Sequence, residues 1–88
     1  MNVIIHTYKD GRKIYYRGDL KVTDQMSLES VLIVLGQQIG EPILEIVEDT
    51  SEYTIVVLND KVIEFGEERN RLITNSDTLK LFPQVVGG

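Results

Sequence analysis

The residues of this chain whose types and order suggest chemistry are the last four, Val85-Val86-Gly87-Gly88. Glycine is costly to order and weak in helices or strands, so a Gly-Gly end is expected to be mobile. A slim end carrying a free carboxylate can enter a slot that side chains would block. Pro83, two residues before the valines, cannot donate a ladder hydrogen bond, so a strand should stop there. The same pair also fits a frayed terminus, because glycine is a common residue. The pair gains meaning only from the domain that presents it.

Little else in the 88 residues offers a reaction. There is no cysteine, which excludes disulfides, a thiolate nucleophile and thiolate metal ligands, and fits a reducing compartment. The single histidine, His6, speaks against a histidine metal site within one chain and reads as a sheet residue. Glu41, Glu45, Glu48, Asp49 and Glu52 lack the histidines or the aspartate-rich loop of a metal centre and read as a solvated acidic face. No nucleophile–base pair and no phosphate-cradling glycine loop is present. The chain therefore does not read as an independent enzyme, and no metal and no cofactor of its own is expected.

Charge is unevenly spread along the chain. Residues 1–21 carry +3 and the remainder −8, for a total of −5. An acidic chain with one mildly basic hairpin is a poor nucleic-acid binder, since phosphate contacts need clustered Lys and Arg. It suits a protein partner with a basic face, and equally a merely solvated surface. No apolar run reaches the length of a membrane span and no basic-then-apolar leader opens the chain. The expectation is a soluble, cytoplasmic protein that binds neither membrane nor nucleic acid.

A tail needs a body to hold it. Residues 2–8 are β-branched and aromatic and predict a strand, and Asp10-Gly11 supplies the positive φ of a tight hairpin. The return strand is expected from Lys13 to Val22 with a break at Gly18, and one of Tyr15 and Tyr16 should be exposed. Thr23 to Met26 read as loop. Ser27 is a good N-cap, and Leu28, Val31, Leu32, Leu35 and Ile39 recur at helical spacing, with Gly36 a weak point and Gly40 a stop. Residues 41–52 fit either a short helical turn or an edge strand. Tyr53 to Leu58 predict a buried strand, Asn59-Asp60 a turn, and Val62, Ile63 and Phe65 a short partner strand. Gly66 to Arg71 read as loop or one helical turn, with Leu72 and Ile73 tucked beneath. Asn75-Ser76-Asp77 is a turn cluster. Thr78 to Phe82 alternate as a last strand, with Leu79 and Leu81 toward the helix and Phe82 on the open face.

That order predicts an α+β fold, a mixed sheet of four or five strands with one main helix across one face, and a last strand paired centrally beside the first. The expected organisation is a body over residues 1–83 and a tail over 84–88. This plan, with Leu58-Asn59-Asp60, Asn75-Ser76-Asp77-Thr78-Leu79, and Leu81-Phe82-Pro83 leading to Val86-Gly87-Gly88, resembles the ubiquitin-like β-grasp sulfur carriers, such as molybdopterin synthase small subunits and thiamine-biosynthesis carriers. Ser76 stands where that family's turn usually has glycine.

The resemblance implies that an ATP-dependent activating enzyme adenylates the Gly88 carboxylate and that a sulfur donor converts the adenylate to a thiocarboxylate. Gly87 would let the partner backbone approach closely, Val85 and Val86 would fill pockets of an extended-peptide groove, and Phe82 with Pro83 would anchor docking. A larger synthase subunit is a further partner the resemblance leaves open. Two other readings stay open beside it: a protein modifier joined through Gly88 to lysines, and a non-catalytic β-grasp interaction domain.

Overall fold

A computed structural model describes residues 1–23, 25–49 and 54–84. The expected tail residues Val85, Val86, Gly87 and Gly88, Asp24 of the expected loop, Thr50 to Glu52 of the acidic segment, and Tyr53, expected to open the third long strand, lie outside the described residues.

The first hairpin pairs β1 (Asn2–Lys9) with β2 (Arg12–Asp19) in unbroken register from Asn2 opposite Asp19 to Lys9 opposite Arg12. Asp10 and Gly11 turn it with φ of 52° and 77°, as the Asp-Gly pair predicts. A two-residue strand β3 (Met26–Ser27) leads into α1 (Leu28–Ile39). Then come α2 (Ile43–Glu48), β4 (Thr54–Leu58), β5 (Lys61–Ile63), α3 (Phe65–Glu68), β6 (Leu72–Ile73) and β7 (Thr78–Pro83). The sheet order is β2-β1-β7-β4-β5; β7 runs parallel to β1 and antiparallel to β4. The fold is thus α+β, a mixed five-stranded sheet with one main helix packed on it, and is β-grasp-like.

The strand period of two and the helix period of 3.6 meet in one core. Val3 and Ile5 of β1, Val56 and Leu58 of β4, and Leu79 and Leu81 of β7 point to the same side and are buried. Leu28, Val31, Leu32 and Leu35 of α1 close over them, each fully buried. Ser27 caps α1 by accepting the Ser30 N–H, and Gly40 ends it in the left-handed conformation at φ 73°.

Several expectations are corrected. β2 passes through Gly18 without a break, because Gly18 pairs in register with Val3 and the Tyr16 ring lies beside its Cα, covering the missing side chain. The strand stops at Asp19 instead of Val22. Leu20 then bonds Met1, and the Val22 backbone bonds the Asn75 side amide in both directions. Gly36 is no weak point: α1 continues to Ile39, and the Gly36 carbonyl accepts both the Gly40 and Glu41 N–H groups at 2.8 and 3.0 Å. Residues 43–48 form a helix, resolving the open alternative, with Ile43 and Ile46 buried. Phe65 does not extend β5 but opens α3, where its ring is buried beneath the Arg69 guanidinium, 5.2 Å from the ring centroid. β4 is buried on one face only, since Ile55 and Val57 are half-buried on the other. Of the pair expected to tuck under, Ile73 does and Leu72 is exposed. These two form β6, which pairs with β3, so Met26 belongs to a strand.

Candidate functional site: the last strand and the open sheet face

β7 carries the chain toward its end, and its neighbours hold it on both sides. Leu79 and Leu81 are fully buried, so the strand cannot shift register by one residue without exposing both leucines. The strand includes Pro83, opposite Thr54, and goes no further. Pro83 ends it as its missing N–H requires. At this end the two flanking strands are joined directly: Thr7 of β1 and Thr54 of β4, both buried, share a hydroxyl hydrogen bond of 2.8 Å. Each hydroxyl is the other's partner in a buried site, so the pair fixes the spacing of β1 and β4 around the end of β7.

Phe82 lies opposite Ile55 of β4, on the face turned away from α1, and is half-buried. That face is the open side of the sheet. It carries Val62 of β5, Tyr15 of β2 and Tyr8 of β1, which are 73%, 62% and 42% exposed. The His6 ring sits between the two tyrosines, its centroid 5.9 Å from Tyr8 and 6.3 Å from Tyr15. As expected, His6 is a sheet residue, and its Nε2 is buried without a hydrogen-bond partner among the described residues. Lys13, Arg17 and Lys80 add positive charge to this side; Lys80 lies 3.5 Å from Asp60.

The opposite end of β7 is locked by the two polar clusters that the sequence singled out. Asn59, in the turn after β4, accepts the Thr78 N–H at 2.9 Å and donates its side amide to Asp77 at 2.8 Å. Asp77 also accepts the Thr74 N–H at 2.8 Å. Burial pushes the Asp77 carboxyl up, but the hydrogen bonds from Asn59 and Thr74 outweigh it and hold the group below its ordinary value. Ser76 needs no glycine-like conformation: its φ is not positive, and its hydroxyl bonds that of Thr74 at 2.9 Å.

Glu29, Glu41 and Glu48 lie on the helical side. Glu41 is held by both guanidinium nitrogens of Arg12 at 2.5 and 2.9 Å, and this contact lowers its carboxyl pKa. Glu29 and Glu48 share Arg69. Between α1 and α2 lies an open groove of about 650 Å³ floored by Leu32, Ile33 and Leu44. Among the described residues no cluster of His, Asp and Glu could hold a metal, and no helix is long and apolar enough to cross a membrane.

The structure therefore places Phe82 and Pro83 together at the end of a central strand. The other sequence-predicted site residues, Val85 to Gly88, lie outside the described residues. Sequence reasoning missed the Thr7–Thr54 clasp, because a hydroxyl pair split between distant strands leaves no local pattern.

No family model and no curated protein matches the sequence. Among solved structures the chain is similar to the solution structure of the Haloferax volcanii HVO 2177 protein, with 21% identity and a TM-score of 0.50, over 100% of this chain and 87% of that one. At that identity the likeness speaks for the fold alone.

Proposed function

We propose that the chain is a sulfur carrier, charged and discharged at the Gly88 carboxylate by partner enzymes and not itself an enzyme. The observation that carries this reading is the position of β7: a central strand, clasped on both sides, that runs out at Pro83 with Phe82 on the open face. A rigid root beside an aromatic anchor suits an end that an active site must grip. The resemblance to the β-grasp sulfur carriers in the body and in the Phe82-Pro83 to Gly87-Gly88 segment supplies the chemistry.

An α-carboxyl has an ordinary pKa of about 3.3–3.7, so the Gly88 carboxylate is ionised at neutral pH and can attack the α-phosphorus of ATP. Pyrophosphate leaves and an acyl-adenylate forms. Hydrosulfide released by the donor then attacks the acyl carbon, AMP leaves with the bonding electron pair, the S–H proton goes to solvent, and sulfur stays on the carbonyl as a thiocarboxylate. No cysteine is needed in the carrier, which agrees with a chain that has none. Val85 and Val86 occupy apolar pockets of the partner groove, and Gly87 admits its backbone.

The test incubates the chain with ATP, an activating enzyme from the same organism and a sulfide source. Intact mass spectrometry should show one oxygen replaced by sulfur at the C-terminus. A mass that does not change with any candidate activating enzyme overturns the reading.

A further inference from the structure

β2 is an edge strand eight residues long, with no proline and no bulge against β1. The other edge, β5, has only three residues. The phase of β2 is set at its end. The Leu20 N–H donates to the Met1 carbonyl at 2.8 Å, and the Met1 amine donates to the Leu20 carbonyl at 2.9 Å. In an antiparallel ladder such doubly bonded pairs alternate with unbonded ones. Gly18, Tyr16, Ile14 and Arg12 therefore bond inward to β1. The backbone N–H and C=O groups of Lys13, Tyr15, Arg17 and Asp19 point outward along the free edge, and all four residues are exposed.

The side chains at those positions are selective. Lys13 and Arg17 flank Tyr15 on the open face, and the Lys13 ammonium lies 6.0 Å from the Tyr15 ring centroid. Neither cation makes an ion pair with a described residue, whereas Arg12 is already committed to Glu41. The edge sits in the one positively charged stretch of an acidic chain. We propose that it takes up an extended, acidic segment of a partner protein by strand addition. The backbone of that segment satisfies the outward groups, its carboxylates lie beside Lys13 and Arg17, and an apolar side chain lies beside Tyr15. A second copy of this chain would bring two cations and only the one carboxylate of Asp19 to the seam, so charge favours an acidic partner. The inference does not depend on the chemistry at Gly88.

The test titrates the isotope-labelled full chain with the blocked peptide Val-Glu-Val-Phe-Val-Glu-Val, whose glutamates match the spacing of Lys13 and Arg17. The amides of Lys13, Tyr15 and Arg17 should shift and exchange more slowly with solvent, while those of Ile14 and Tyr16, already paired to β1, keep their protection. Lys13→Glu with Arg17→Glu, both at exposed positions, should weaken binding by about tenfold or more, as opposed pairs become like-charged ones. Tyr15→Pro should also weaken it, since proline at an outward edge position removes the free donor and spares the ladder. Circular dichroism confirms that each variant is folded. The proposal fails if millimolar peptide perturbs nothing, if the shifts map elsewhere, or if a peptide with lysine for glutamate binds equally well. It also fails if the same amides become protected with rising protein concentration in the absence of peptide.

Discussion

At the scale of single residues, the Asp77 carboxylate joins two turns. It accepts from the Asn59 side amide and from the Thr74 backbone, and so ties the β4–β5 turn to the turn that opens β7. Its pKa is depressed in the fold, so the unfolded chain takes up a proton more readily. The stability it contributes is fully present above the ordinary carboxylate pKa of about 3.9 and is lost as pH falls through the lower native value. Asp77→Asn should lower the urea midpoint at neutral pH and flatten its fall below about pH 4, because asparagine would turn an N–H₂ toward the Asn59 N–H₂ or abandon the Thr74 N–H. An unchanged acid profile in the variant would remove Asp77 from this role. The sequence shows Asn75-Ser76-Asp77 as a turn from residue type alone. It does not show that Asn59 closes onto it, because a bond between two loops has no periodicity.

At the scale of elements, what could be read was what repeats. The β-branched and aromatic run of residues 2–8 and the helical spacing from Leu28 to Ile39 each extend over several residues, and both elements formed where expected. The two-residue strands β3 and β6 are shorter than any period and emerge only when Met26 and Ile73 meet across the fold. Phe65 misled because aromatic types favour strands, yet burying its ring required the chain to leave the β5 edge and turn as α3. Gly36 misled in the opposite sense. By propensity, alanine there should gain about 1 kcal/mol. In the structure a Cβ on Gly36 would stand 2.5 Å from the Glu41 backbone carbonyl, where α1 turns into α2. Gly36→Ala should therefore lower the melting temperature despite the better helix former, and displace Glu41 from Arg12. Thermal unfolding checks the first, and the effect of Arg12→Ala in each background checks the second.

At the scale of the whole molecule, the sheet separates two tasks by face. One side builds the core with α1, while the other displays tyrosines, valine and three cations with the carboxylates of Asp19 and Asp60; those of Glu29, Glu41, Glu45 and Glu48 lie on the far, helical side. A partner that docks over Phe82 therefore meets a face where Lys80 is paired with Asp60 and where Lys13 and Arg17 stand beside the single carboxylate of Asp19, so its own surface need not be basic there, unlike what net charge alone suggests. The placement of β7 between β1 and β4 makes the separation testable within two adjacent residues. Leu81 is fully buried against α1, so Leu81→Ala should cost about 2–5 kcal/mol of stability through the cavity it leaves. Phe82 points the other way and is half-buried, so Phe82→Ala should leave most of the stability in place. If the open face is where an activating enzyme grips the carrier, the ranking reverses for function: at a temperature where both variants are folded, Phe82→Ala should lower kcat/KM for thiocarboxylate formation by about tenfold, the size of a modest docking hot spot, and Leu81→Ala should barely change it. Denaturant midpoints and the initial rate of sulfur incorporation measured on the same two proteins decide the matter, and equal rates in both would move the docking site off this face.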